Sequence, residues 1–229
     1  AIVEAALARG AKCLAGERAY QALSSAGDIG ECELYTVAGP MGQDVLDRLG
    51  VQSHIVYRYD TSSEHGRTTA DDTRAAVNAF LGHGVELIVF AGGDGTARDV
   101  LDALKQHGSD EKLTVIGIPA GCKIHSAVYA VTPAQAGELV AGLIEGQLLS
   151  VKSAEVMDLD EDAFRAGQVK ASCYGYMNVP VDEQRMQAMK QGGVDTESLV
   201  LQDIAADFID NMQDDVLYLI GSGTTTEIT

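Results

Sequence analysis

Short apolar runs alternate, up to about Gln147, with segments in which apolar residues recur at helical spacing. An apolar run bounded by Gly or polar residues is typical of a buried strand, and such runs predict strands at residues 32–38, 54–59, 86–91 and 113–118. Helical spacing predicts helices at residues 2–9, 16–25, 43–49, 97–106 and 133–145. Because strands and helices alternate, we predict an α/β fold with a doubly wound parallel sheet.

Capping residues predict where further helices begin. Thr69 stands three positions before Asp72, which is the spacing of a capping box, so a helix is predicted to follow. Thr132 precedes Pro133, a residue favoured at the first helical position. The segment PAGCKIHSA (119–127) follows the strand at 113–118, and we predict that it forms a loop that opens another helix.

The pattern changes after Gln147, where two strand-like segments follow each other without a crossover helix. LLSVKSAEVMDLD and VKASCYGYMNVP flank an insert at 161–167, and they predict a second, β-rich domain at 150–195. A helix at 198–212, a strand at 216–220 and the loop GSGTTT then predict that residues 196–229 return to the α/β sheet of residues 1–149. Both ends interrupt a helical pattern, so we expect a longer parent chain.

Charge and composition exclude several classes of partner. The 229 residues include 16 Lys and Arg against 34 Asp and Glu, and the net charge of -18 repels nucleic acid and anionic membrane surfaces. The cysteines are scattered without a CxxC pair, so we predict reduced thiols and neither a zinc site nor a disulfide framework. No apolar run approaches the roughly 18 residues of a membrane span. We therefore expect a cytoplasmic protein that binds small molecules.

The glycine-rich loop GGDGT directly follows the predicted strand at 86–91. Gly92, Gly93 and Gly95 let a ligand approach the backbone, and the helix start beside Thr96 offers N–H groups to phosphate. Ligands of open α/β sheets bind at this carboxyl end of the strands. Because Asp94 would repel a bare phosphate, we predict that it serves either as general base toward a hydroxyl or as a contact to a phosphate-bound Mg²⁺ ion. Both roles belong to phosphoryl transfer.

A purely structural interpretation of the same loop stays open, in which the glycines bend the chain and Asp94 caps the helix. The loop is neither GxGxxG nor GxxxxGK[ST], so the Rossmann and P-loop fingerprints do not support a function here. No GxSxG elbow is present, and acyl transfer has no support. We predict no metal site built from protein ligands alone.

Two other loops contain candidates for phosphate or ribose contacts. In the first, Ala120 and Gly121 precede Lys123, a cation for phosphate, and His125, whose imidazole can hydrogen-bond a ribose or phosphate oxygen. Ser126 stands beside them as a ligand contact or a helix cap, and a partly buried capping role is the alternative for His125. The second loop repeats the strand and glycine pattern with Gly221, Ser222, Gly223, Thr224 and Thr225, for which a flexible turn is the alternative.

Several segments together resemble a known family. GGDGT after an apolar strand is shared by ATP-NAD kinases, diacylglycerol kinases and 6-phosphofructokinases. The segments GIPAGCKIHSAVYAVTPAQAGEL, AEVMDLDEDAFRAG and DVLYLIGSGTT resemble the branch of predicted inorganic polyphosphate/ATP-NAD kinases related to the acetoin-catabolism protein X. This resemblance implies a nucleotide-binding domain at 1–149 followed by a β-rich domain, and a homo-oligomer.

The same resemblance implies a reaction. A phosphoryl group of ATP or inorganic polyphosphate, with Mg²⁺, would be transferred to the 2'-hydroxyl of NAD to give NADP. Asp94 matches the family's aspartate, which is taken as the base for that hydroxyl. The Asn-Glu pair that NAD kinases use on the acceptor nucleotide does not occur in the sequence. A kinase of another hydroxylated metabolite or lipid, and a regulatory protein that binds a nucleotide without catalysis, therefore stay open as alternatives.

Overall fold

The computed structural model of the chain describes residues 9–10, 13–60, 68–110, 112–121, 124–147, 150–159 and 171–181. The predicted helices at 2–9 and 198–212, the strand at 216–220 and the insert at 161–167 lie wholly or almost wholly outside these residues. Within the described part, no helix is long and apolar enough to cross a bilayer, and the thiols of Cys13, Cys32 and Cys173 are free.

The described residues form helices and strands in alternation. The helices are α1 (Ala15–Ser25), α2 (Gln43–Leu49), α3 (Ala70–Gly82), α4 (Asp94–His107) and α5 (Pro133–Ile144). The strands are β1 (Tyr35–Val37), β2 (His54–Tyr57), β3 (Leu87–Gly92), β4 (Thr114–Pro119), β5 (Ser150–Leu159) and β6 (Ala171–Val181). The alternation predicted up to about Gln147 is therefore confirmed, and so are the two strand-like segments predicted after it.

Two of the predicted bounds differ from the structure for local reasons. β1 is shorter than the predicted strand at 32–38, because Ile29–Glu31 form a 3-10 turn that the Cys32 amide closes by donating to the Ile29 carbonyl at 3.2 Å. α4 begins three residues earlier than predicted, because the Gly93 carbonyl accepts from the amides of Thr96 and Ala97 at 2.9 and 3.1 Å. Asp94 consequently lies in the first turn of a helix rather than in a free loop.

The strands form two sheets in the described residues. β1 and β2 pair in parallel, and a separate sheet has the order β3-β4-β6-β5. β3 and β4 are parallel over their whole length, β6 joins β4 in parallel at Thr114 and Asn178, and β5 runs antiparallel to β6. The predicted α/β class with parallel strands is thus confirmed. The second β-rich domain and the domain bounds stay predictions.

The sheet separates two hydrophobic cores. The side chains of β4 point alternately to its two faces and contribute to both cores. Val115 packs with α3 and α4 residues such as Val77 and Leu104. Ile116 and Ile118 belong to the opposite cluster with residues of α1, α2 and α5. Neighbouring side chains of a strand point to opposite faces, so a strand buried on both faces reads as a continuous apolar run. Helices therefore cover both faces of the β3–β4 pair, as predicted.

The prediction that PAGCKIHSA opens a helix is wrong. The segment that follows it is held by strand-like backbone hydrogen bonds: the Gly117 amide donates to Val128 at 3.1 Å, the Ala130 amide to Gly117 at 2.9 Å, and the Ala127 amide to Glu155 at 2.8 Å. These bonds direct the amides of Ala127 and Ala130 and the carbonyl of Val128 toward β4 and β5 rather than along a helix axis. The carboxyl end of β4 is therefore bordered by the segment 124–130, which bridges it to β5.

Gly117 makes this close approach possible. A Cβ atom added to it would lie 2.6 Å from Cδ1 of Tyr129 and 2.9 Å from the Val128 carbonyl oxygen, both too short for real contacts. A glycine within a strand is typical of a place where another piece of backbone comes near. The absence of a side chain at Gly117 thus positions the 124–130 segment.

α3 and α4 are also joined by charge. Arg74 of α3 makes an ion pair with Asp99, which is buried on α4, and a second one with the exposed Asp71 at 2.6 Å. Burial raises the pKa of Asp99, and the charge of Arg74 opposes that rise. The predicted capping box is confirmed at the start of α3, where the side chains of Thr69 and Asp72 bond to each other's backbone amides.

Candidate functional site

The glycine-rich loop and the PAG loop meet at one edge of the sheet. β3 and β4 are parallel and in register, so that Gly92 lies opposite Pro119 and both loops leave the sheet at the same end. The Ala120 amide donates to the Gly92 carbonyl at 2.9 Å. A Cβ atom on Gly121 would lie 3.0 Å from the Cα atom of Gly93, so the two backbones touch at a point where side chains would separate them.

The carboxylate of Asp94 lies against the 124–126 part of the second loop. Its Oδ1 accepts from the Ser126 amide at 2.9 Å, and its Oδ2 accepts from the His125 amide at 3.0 Å, an amide that also lies 3.2 Å from Oδ1. The His125 imidazole contributes Nδ1 at 3.2 Å from Oδ2. Only 11% of the Asp94 side chain is exposed. The donors that fix this carboxylate therefore belong to the loop after β4, whereas Asp94 itself follows β3.

These contacts decide the charge of Asp94. Burial alone would raise the pKa of its carboxyl, but hydrogen bonds from the hydroxyl and amide of Ser126 and from the amide and ring of His125 outweigh it, and the pKa lies below its ordinary value. Asp94 is consequently an anion at neutral pH. The low pKa also makes Asp94 a weak base. Proton transfer to a general base is most efficient when the pKa of that base lies near the working pH.

Ser126 connects this carboxylate to the β5 strand. Ser126 is buried, and besides donating its amide to Asp94 it accepts a hydrogen bond from the Met157 amide on its Oγ at 2.9 Å. No helix follows it directly, so the alternative of a helix cap is wrong. Ser126 thus links the second loop to α4 through its amide and to β5 through its Oγ atom, and both groups already have protein partners.

Tyr129 is a part of the site that the sequence analysis missed. Its hydroxyl donates to the Gly93 carbonyl at 2.6 Å, and its ring meets Phe90 edge-on with the centroids 5.5 Å apart. Burial, and then the charge of Asp94, raise the pKa of Tyr129. Tyr129 therefore remains a neutral donor that supports the start of α4. The glycine at position 117 inside a predicted strand was the available signal for such a contact.

The first turn of α4 offers the open surface of the site. Gly95 is exposed, and a Cβ atom built on it would meet nothing within 4 Å. The amides of a first helical turn generally lack acceptors inside the helix, and they lie at the positive end of the helix dipole. In α4 the amide of Thr96 is an exception, because it donates to the Gly93 carbonyl. These features of the turn favour an anion such as phosphate, whereas the charged carboxylate of Asp94 would repel it unless a cation or a hydroxyl lies between them.

The described residues do not form a cage for a metal ion. No group of three His, Cys, Asp or Glu side chains comes together among residues 13–60, 68–110, 112–121, 124–147, 150–159 and 171–181. Both oxygens of Asp94 already accept hydrogen bonds. Mg²⁺ commonly keeps several waters and binds substrate phosphates with one or two carboxylates, so an ion bound to the donor phosphates does not need such a cage.

The structure thus brings together nine of the predicted site residues, namely Gly92, Gly93, Asp94, Gly95, Thr96, Ala120, Gly121, His125 and Ser126. Lys123 and the loop Gly221, Ser222, Gly223, Thr224 and Thr225 lie outside the described residues. Two surface depressions of about 460 and 330 Å³ share Gln52 and Ser53 in their linings, and neither is lined by Asp94.

Comparison with known proteins agrees with this arrangement. A family model described as the ATP-NAD kinase N-terminal domain matches residues 8–148, which contain both loops of the site. No curated protein and no solved structure matches the chain significantly. Because the family match covers more than half of the 229 residues, the chain belongs to the ATP-NAD kinase family, a family of phosphotransferases.

Proposed function

We propose that the protein is a kinase that transfers a phosphoryl group from ATP or inorganic polyphosphate to the 2'-hydroxyl of NAD, giving NADP. The family match supports phosphoryl transfer with nucleotide substrates. The observation that carries the proposal is the carboxylate of Asp94, which is ionised, fixed by His125 and Ser126, and located beside an open helix start.

The geometry suits a reaction that depends on positioning. In phosphoryl transfer most of the catalysis comes from alignment and from neutralising charge rather than from covalent chemistry. Phosphate over the first turn of α4 would meet the amide of Gly95, since the amide of Thr96 already donates to the Gly93 carbonyl. The acceptor hydroxyl would then face the Asp94–His125 pair, which can receive its proton.

Charge makes a second requirement. The chain carries a net charge of -18, so the phosphates of donor and acceptor need local positive partners. We propose that Lys123 contributes such a partner together with the amides of α4, and that the loop Gly221–Thr225 binds phosphate as its glycine pattern predicts. A Mg²⁺ ion bound to the donor would neutralise charge on its phosphates.

Finer parts of the sequence interpretation enter here as proposals. They are the branch of polyphosphate-using kinases, the division into domains at 1–149, 150–195 and 196–229 with a β-rich second domain, a cytoplasmic location and a homo-oligomer. The Asn-Glu pair expected for NAD does not occur in the sequence, so a different hydroxylated acceptor is the alternative to NAD.

The test is a product assay with a panel of donors and acceptors. The chain is incubated with Mg²⁺, with ATP or polyphosphate, and with NAD, NADH, small polyols or diacylglycerol, and phosphorylated products are identified by mass spectrometry. NADP above the level of a boiled control supports the proposal. A phosphorylated product from another acceptor alone would identify a different kinase, and nucleotide binding without any product would identify a regulatory protein.

A further inference from the structure

We propose that Tyr129 is a positioning residue for the phosphoryl transfer, because its hydroxyl holds the Gly93 carbonyl and thereby sets where the carboxylate of Asp94 lies. The inference rests on the proposed function and adds to it a residue that lies outside the GGDGT loop. Tyr129 acts through Asp94 rather than by contact with a substrate. The hydrogen bonds around these three residues carry the argument.

The backbone at Gly93 depends on partners from elsewhere. Gly93 directly precedes Asp94 and is the N-cap residue of α4, where it makes no side-chain cap. A glycine cannot restrict its own φ and ψ, so its conformation is set by the bonds that its backbone makes. Its carbonyl accepts from the amides of Thr96 and Ala97 inside α4, and the Tyr129 hydroxyl donates to the same carbonyl at 2.6 Å from outside the helix.

Tyr129 is itself held firmly on the sheet. On either side of it, the Gly117 amide donates to the Val128 carbonyl at 3.1 Å and the Ala130 amide donates to the Gly117 carbonyl at 2.9 Å. Its ring meets Phe90 of β3 edge-on, with the centroids 5.5 Å apart. A side chain whose backbone and ring are both fixed is suited to positioning, since such residues need conformations locked by packing.

Gly93 and Asp94 are joined to the same segment at separate points. The carboxylate of Asp94 accepts from the Ser126 amide at 2.9 Å and from the His125 amide at 3.0 Å, and the Gly93 carbonyl accepts from Tyr129 a few residues further along. Attachment at separate points fixes an orientation that a single point leaves free to turn. Loss of the hydroxyl should therefore let the carboxylate shift relative to the acceptor, and a shift of about 1 Å costs up to about 100-fold in rate.

The first experiment measures steady-state kinetics of the full chain without this hydroxyl. Tyr129→Phe keeps the ring against Phe90, so the variant should fold. We expect kcat to fall by about 10 to 100-fold, with the KM of donor and acceptor changed less than about threefold. Tyr57→Phe is the matched control, because Tyr57 donates to Asp72 at the start of α3 at 2.9 Å, and it should keep the kcat of the wild type. An unchanged kcat in Tyr129→Phe would overturn the inference.

A double-mutant cycle separates positioning from a general loss of folded protein. In Asp94→Asn the carboxylate that Tyr129 positions is gone, so adding Tyr129→Phe should lower kcat by less than about a further threefold. A purely structural role of Tyr129 would lower the rate by the same factor in both backgrounds. That result would also overturn the inference.

A third measurement does not depend on activity. Amide hydrogen exchange followed by nuclear magnetic resonance should be faster by about tenfold at His125 and Ser126 in Tyr129→Phe, and far less changed at Leu101, which is buried within α4. Equal acceleration at all three amides would show a global loss of stability and overturn the inference.

The two kinds of measurement distinguish this inference from the proposed function. An active wild type whose exchange at His125 and Ser126 is unchanged by Tyr129→Phe would overturn the inference alone. A wild type that phosphorylates no acceptor would overturn the proposed function and, with it, a role of Tyr129 in phosphoryl transfer.

Discussion

The amide of Ser126 donates to Oδ1 of Asp94 at 2.9 Å, although the two residues are 32 positions apart and follow different strands. This bond joins the start of α4 to the loop after β4. It also keeps the carboxylate charged and in place, because it is one of the hydrogen bonds that outweigh burial. The chemistry proposed for Asp94 therefore depends on a contact between two connections of the sheet.

The first prediction concerns the stability contributed by this charge. An acid whose pKa is lowered in the folded state stabilises the fold above its unfolded pKa, about 3.9 for Asp, and loses that contribution as the pH falls through the folded pKa. We expect urea unfolding to show Asp94→Asn less stable than the wild type at pH 7, with the difference shrinking at about pH 3. A difference that is independent of pH would show that the carboxylate charge does not matter to the fold.

The second prediction uses the open space at Gly95. Replacing an unobstructed helical Gly by Ala stabilises a helix by about 0.5–1 kcal/mol, so Gly95→Ala should raise the free energy of unfolding. If phosphate lies on this turn, the added methyl group should also raise the KM for the donor. Gly82→Ala, in the equally open last position of α3, should give a comparable change in stability and leave the KM unaltered. An unchanged KM for Gly95→Ala would place the phosphate elsewhere.

The third prediction concerns the segment that carries His125 and Ser126. Gly117→Ala should destabilise the fold by about 1–3 kcal/mol, because its methyl group would enter the Tyr129 ring and the Val128 carbonyl. The displacement should also lower phosphotransfer, since this segment supplies the amides that hold Asp94. Thermal unfolding and the product assay measure the two effects. Wild-type stability in Gly117→Ala would contradict the packing described for β4.

The fourth prediction separates a buried ion pair from an exposed one. Arg74→Met leaves the buried carboxylate of Asp99 without its strongest partner, and we expect a clear loss of stability in urea unfolding. Arg74→Met with Asp99→Leu should recover most of the loss, because both charges are then gone. Arg48→Met is the control, since Arg48 and Glu17 are about half exposed and solvent screens their pair, so the loss should be much smaller. Equal losses for Arg48→Met and Arg74→Met would contradict this assignment.

The sequence was sufficient where local rules decide the structure. The bounds of α2 at Gln43–Leu49 and the capping box at Thr69 were predicted as they occur, because turn residues and helical spacing act over a few positions. The position of the GGDGT loop at the carboxyl end of a strand of the parallel sheet was also predicted from the sequence.

The segment 124–130 could not be predicted in the same way. Its backbone partners are Gly117 on β4 and Glu155 on β5, residues that only the folded sheet brings near. A helix was therefore predicted where tertiary hydrogen bonds impose an extended bridge. The same reason explains why the Tyr129 bond to Gly93 and the Asp94–His125 contact were missed.

The most direct test of the proposed function is the rate of NADP formation from NAD by the wild type and by Asp94→Asn, with Mg²⁺ and with ATP or polyphosphate as donor. We expect the wild type to form NADP and the variant to be slower by about 100 to 10,000-fold, with nucleotide binding measured by calorimetry nearly unchanged. Equal rates of NADP formation by the two proteins would contradict the role of Asp94. The absence of NADP with either donor would contradict NAD as the acceptor.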